Sequence, residues 1–170
     1  LLDDFFHERV KNWSDTKSYI LIAGIAYGMQ YLHSKNYYHL NLRPSKILLD
    51  ENYYPVISFL NINSDTKPIY KSDDMAYAPP EYAEFIQNPE SIDLSKVDVF
   101  AFSIIVFQIF TEKPLDNKRK IDSTTLDEKQ RQFFEACSDQ TPNLRPSFSD
   151  IIEAIKGEEF KKGFSNLDDK

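Results

Sequence analysis

The most apolar stretch of the chain, residues 97–110 (VDVFAFSIIVFQIF), limits the folds open to it. A segment this apolar must be covered, either by lipid or by the rest of the protein. It falls short of the roughly 20 apolar residues that span a bilayer, and it carries Asp98, Ser103 and Gln108. It therefore predicts a buried core helix over residues 95–110, with no membrane insertion. The other segments must supply its shell.

Those segments are mostly helical by pattern. Residues 1–10 are short and amphipathic, with Leu2, Phe5, Phe6 and Val10 on or near one face. Asn12 and Ser14 break this pattern. Ser14, Asp15 and Thr16 offer capping oxygens for a helix to about Ser34, whose Ile20, Leu21, Ile25, Met29 and Leu32 recur at helical spacing. Lys35-Asn36 ends it. Two short apolar runs, Ile47-Leu48-Leu49 and Val56-Ile57-Ser58, flank a polar connection and predict a small hairpin. Residues 61–74 and 111–125 are polar and predict loops. Ala78-Pro79-Pro80-Glu81 opens a short helical turn, because proline suits a helix start. Residues 126–137 and 148–155 have helical periodicity, with Phe133, Phe134, Ile151, Ile152 and Ile155 as core candidates. The last residues, 158–170, are charged and expected to fray.

Composition excludes several classes. With 170 residues, 41% hydrophobic and 14% aromatic, the chain can bury a core and is not disordered. Its formal charge of -7 repels nucleic acid and anionic lipid. Four glycines leave little room for a glycine-rich phosphate loop. The single cysteine, Cys137, cannot form an internal disulfide, and a reducing, cytoplasmic setting is expected. Asn12-Trp13-Ser14 fits a glycosylation triplet, but nothing else in the chain suggests secretion.

Tyr38-His39-Leu40-Asn41-Leu42-Arg43-Pro44-Ser45-Lys46-Ile47-Leu48-Leu49 resembles a protein-kinase catalytic loop, H-R-D-L-x-x-x-N followed by an apolar strand. Further blocks match in the family's order. Residues 20–34, ending Tyr31-Leu32-His33-Ser34, resemble the helix before that loop. Ile57-Ser58-Phe59-Leu60 sits where I-S-D-F-G is expected, and Tyr77-Ala78-Pro79-Pro80-Glu81 where A-P-E closes the activation segment. Asp98-Val99-Phe100 resembles the start of the central helix. Cys137 with Leu144-Arg145-Pro146-Ser147-Phe148 resembles a late motif of tyrosine-kinase-like families. The resemblance covers residues 1–157. It implies a mainly α fold, the kinase large lobe with six or seven helices and one small hairpin. The small lobe, with its glycine-rich loop and strand lysine, is absent. The interval 111–137 is shorter than the family's, so a peripheral helix is expected to be missing.

The resemblance also implies lost chemistry. Phosphoryl transfer needs a carboxylate at the hydroxyl and ligands for Mg²⁺. Asn41 stands at the catalytic Asp position, and an amide takes up no proton at neutral pH. Lys46 stands at the metal-binding Asn position and offers no lone pair. Phe59 stands at the metal-binding Asp position and has no oxygen. Leu40 replaces the Arg that receives a phosphorylated activation loop, so Ser64, Thr66 and Ser72 lose their usual receiver. Arg43 keeps a positive charge where the family often contacts the transferred phosphate. The positions serving the fold persist: His39 as a core histidine, Leu60 as an apolar plug, Asp98 beneath the catalytic loop, and Glu81 with Arg145 as a buried ion pair.

The expected function is therefore a catalytically dead, kinase-like module that binds or scaffolds a protein, without Mg²⁺ or ATP. The missing small lobe is expected to leave an apolar upper surface near Leu48, Val56 and Leu60. The alternative is a divergent Ser/Thr/Tyr kinase that needs an N-terminal lobe outside this chain to bind ATP. A third reading is a degenerate gene product with no function of its own.

Overall fold

The computed structural model of the chain describes residues 1–8, 13–58, 72–88, 92–115 and 121–167. Phe59, Leu60, Ser64, Thr66, Val10 and Asn12 lie outside them. The described residues form seven α-helices and one antiparallel pair of strands.

Helix α4 (Leu94–Thr111) is the core. It is longer than the apolar run suggested, 18 residues. By length and composition it could cross a membrane, but 72% of it is buried inside the protein. Asp93 caps its start through Ser95 N–H, and Glu112 ends it in the left-handed conformation. Around it lie α2 (Asp15–Ser34), α5 (Glu128–Cys137) and α6 (Phe148–Lys156). Capping boxes start α5 (Asp127 with Gln130) and α6 (Ser147 with Asp150). Helix α1 (Leu2–Glu8) buries Leu2, Phe5 and Phe6.

The local signals at α2 are complete. Ser14 Oγ accepts from Lys17 N–H at the start. At the end, Asn36 is left-handed (φ 58), and the N–H groups of Asn36 and Tyr37 return to the carbonyls of His33 and Leu32. That closure satisfies carbonyls the helix leaves open.

The hairpin pairs β1 (Ile47–Leu49) with β2 (Pro55–Ile57), placing Leu48 opposite Val56. The second strand begins one residue earlier than its apolar pattern indicated. Pro55 opens the strand, where its missing N–H costs nothing, and its ring lies against Gly24 of α2. Asp50 Oδ1 accepts from the N–H groups of Asn52 and Tyr54, both at 2.8 Å, and fixes the turn.

Two loop expectations are corrected. Residues 72–77 form a 3-10 helix (Ser72–Tyr77) leading into α3 (Tyr82–Gln87), and Ser123–Thr125 forms another before α5. Tyr77 is drawn inward because its hydroxyl donates to Gln108 Oε1 of α4 at 2.8 Å. Among the described residues after 157, where fraying was expected, Glu158–Lys161 is a further helix, α7, and Phe160 and Phe164 are buried. Rings on distant elements receive them.

Gly24 and Gly28 let β2 approach α2. A Cβ at Gly24 would fall 2.5 Å from Pro55 Cγ, part of a rigid ring; one at Gly28 would fall 2.7 Å from Ile57 Cδ1, the end of a flexible chain. Gly24→Ala is expected to lower stability by up to about 2 kcal/mol, overpacking at the rigid Pro55 ring (about 1–3 kcal/mol) outweighing the helix gain of about 1 kcal/mol. Gly28→Ala is expected to stay within about 1 kcal/mol of the parent, since Ile57 can rotate away. Urea unfolding of both variants checks this, and equal losses would refute it.

Candidate functional site: a kinase-type loop held from below

The loop after α2 is organised by one carboxylate. Asp98, on α4, has no solvent exposure. Its Oδ2 accepts from His39 N–H at 2.8 Å and its Oδ1 from Leu40 N–H at 2.7 Å. His33 Nε2, at the end of α2, lies 2.9 Å from the same Oδ2. A buried carboxylate is tolerated only when its oxygens are satisfied, and these donors come from two separate segments. Leu40 is left-handed, with φ 56. A branched residue there is strained by about 1–3 kcal/mol, and the Asp98 bonds hold it in place.

His39 is buried beside this carboxylate. Its Nδ1 accepts from Asn41 N–H at 3.3 Å, so the ring proton sits on Nε2, which faces Ser58 O at 3.3 Å. Burial pushes its pKa below the ordinary 6.5. Asp98 opposes that shift, and the charge of Lys46 adds to it.

Beyond His39, the 3-10 turn Pro44–Lys46 carries the chain into β1. Asn41, Arg43 and Lys46 are partly buried, and the Lys46 ammonium is near enough to act on His39. Asn41 Oδ1 is buried and accepts no hydrogen bond among the described residues. Among the described residues, no three His, Cys, Asp or Glu side chains are grouped to hold a metal. Phe59 and Leu60 fall outside the described residues. Leu48 and Val56 pair across the hairpin and are both about half exposed, at 46% and 54%.

A second tie lies away from the loop. Arg145 is almost wholly buried, and its guanidinium grips Glu81 through two bonds, Nη1–Oε1 at 2.6 Å and Nη2–Oε2 at 2.8 Å. Its Nε donates to Asp139 O, and Nη1 also donates to Lys96 O. Lys96 Nζ in turn donates to Arg145 O at 2.6 Å, and Phe100 stacks below the guanidinium. The pair joins the start of α3 to α4 and α6.

The structure thus brings His39, Leu40 and Asp98 into one cluster and Glu81 with Arg145 into another. Sequence reasoning gave no role to His33 or Lys96. His33 lay inside a block already matched, Tyr31-Leu32-His33-Ser34, but its partner is 65 positions away. Lys96 carried no signal, since its role depends on a backbone carbonyl.

A helical lobe around a buried α4, with a loop suspended from Asp98 and a buried Glu–Arg pair, defines a protein-kinase large lobe. The family described as protein tyrosine and serine/threonine kinase matches residues 1–155, and the chain belongs to it. Among its relatives are a dual specificity protein kinase, shkB, of Dictyostelium discoideum (30% identical, over 79% of this chain and 24% of that protein) and the receptor protein-tyrosine kinase CEPR1 of Arabidopsis thaliana (26% identical, over 79% and 18%). The yeast serine/threonine-protein kinase BCK1/SLK1/SSP31 is 28% identical over 78% of this chain and 10% of its own length. The chain thus spans a quarter or less of these relatives.

Two outcomes follow. Arg145→Met strands Glu81 and two carbonyls, and is expected to cost about 3–5 kcal/mol in denaturant unfolding. Replacing Glu81 as well, by Leu, is expected to recover part of that loss. His39 carries a lowered folded pKa, so its unfolded form binds more protons in acid. Its contribution is present above pH 6.5 and is lost as pH falls through the folded value. Stability measured from pH 7.5 to 5 is expected to fall more steeply in the parent than in His39→Gln; parallel curves would exclude this role.

Proposed function

We propose that this chain is a pseudokinase lobe of the tyrosine-kinase-like type, a cytoplasmic module that binds a protein partner and transfers no phosphate. One observation carries the reading: the loop frame is intact, yet its chemical positions hold Asn41 and Lys46. The main-chain bonds from Asp98 keep the loop in shape. Within that shape an amide stands where a carboxylate is needed, and an ammonium where a metal ligand is needed. Phe59 removes the remaining ligand position by residue type. The exposed Leu48–Val56 pair supports a protein-facing surface on the hairpin. Arg43 is the residue left to contact a phosphate by charge. The module takes neither Mg²⁺ nor ATP, and its charge of -7 disfavours nucleic acid.

A second reading has its own support: the relatives are named kinases, of which this chain spans a quarter or less. In it the chain is the large lobe of a divergent kinase completed by another lobe.

A thermal-shift titration with ATP and Mg²⁺ separates the two, provided it uses both this chain and the longest natural form that contains it. A ligand at about a hundred times its Kd adds about 2.7 kcal/mol, several degrees in a chain of this size. No shift in either form is expected. A metal-dependent rise of that size in either form would overturn the pseudokinase reading.

A further inference from the structure

The family match ends at residue 155, yet the chain keeps packing past it. Gly157, extended at φ -70 and ψ 148, ends α6 and redirects the backbone into α7. Phe160 then sits 4.5 Å from Phe133 of α5 and 6.1 Å from Tyr19 of α2, measured between ring centroids. Phe164 sits 5.7 Å from Phe110 of α4 and 5.9 Å from Tyr19. The two rings keep only 6% and 8% of their surface exposed. Their receptors lie on three helices: near the start of α2, at the end of α4 and in the middle of α5.

Polar contacts fasten the same segment at both edges. Gln130 Nε2 of α5 donates to Gly163 O at 2.7 Å. Lys129 Nζ pairs with Glu159 Oε2 at 2.6 Å, and the two lysines beside Glu159, Lys129 and Lys162, hold its carboxyl down to about 2. At the far end Asn166 N–H donates to Asp15 Oδ2, at the first turn of α2. The ion pair is exposed and contributes little. The two buried rings carry the attachment, because they remove apolar surface from water at both partners.

We propose that residues 158–167 are a clasp that completes the folding unit of this chain. It closes over an aromatic shelf made by Tyr19, Phe110 and Phe133, joins α2 to α5, and carries the stable unit of this chain past residue 155, where the family match ends. Without it, the shelf is an exposed aromatic surface open to self-association.

Limited trypsin digestion of the full chain tests this at Lys161 and Lys162. In the parent, cleavage there is expected to require opening of the clasp. The double variant Phe160→Ala with Phe164→Ala is expected to be cut at least about tenfold faster, while Lys129→Ala changes the rate less than about twofold. Binding of a hydrophobic dye is expected to rise in the double variant alone. Cleavage of the parent at the rate of an unstructured peptide would overturn the proposal, as would a double variant with the parent's rate and unfolding midpoint. Should the double variant not fold, amide exchange on the parent decides. Protection of Lys161 and Phe164, whose N–H groups bond to Gly157 O and Lys161 O, comparable to α6 supports the clasp. Free-peptide exchange at both refutes it.

Discussion

The buried carboxylate of Asp98 is the constraint on which the rest depends. A charge with no solvent exposure must find its donors inside the protein. It finds two on consecutive main-chain N–H groups and one on His33. Those bonds fix where α2 ends relative to α4 and force the loop between them into a strained turn at Leu40. With the turn set, His39 falls into the core, and its ring nitrogens bridge Asn41 and Ser58.

The Glu81–Arg145 pair does similar work on the other side of α4. Its guanidinium uses its donors on a carboxylate and two carbonyls, so little of the buried charge is left unsatisfied. The two ties differ in what they hold. Asp98 shapes the kinase-type loop; Arg145 joins α3 to the late helices. Both hold backbone in place, and neither requires a nucleotide. A frame of this kind can keep its shape while the residues displayed on it change.

Much of the fold was legible because its signals are local. Ser14 and Asn36 bracket α2 through bonds to neighbours within a few residues. The apolar run at 97–110 announced α4 because such a run must be covered. The order of the motif blocks placed Asp98, Glu81 and Arg145 before any coordinates. Where the reading departed from the structure, the deciding contact was distant. Pro55 began β2 early because its ring meets Gly24 on another element. Residues 72–74, read as loop, belong to a 3-10 helix that ends at Tyr77, whose hydroxyl reaches Gln108 on α4. The tail read as frayed because its charges are evident, whereas Tyr19, Phe110 and Phe133 lie far away in sequence.

What the sequence by itself determined is the chemistry available at each loop position. An amide at 41 and an ammonium at 46 keep their character in any fold, so their inability to act as base or metal ligand needed no coordinates. What only the tertiary structure decided is which groups share a buried space: His33 with Asp98, Lys96 with Arg145, and Phe160 and Phe164 with three separate helices. Burial and direction depend on segments brought together by collapse, and no local pattern encodes the partner. The side chains carried their chemistry openly; the contacts that hold the lobe together emerged only when the chain closed on itself.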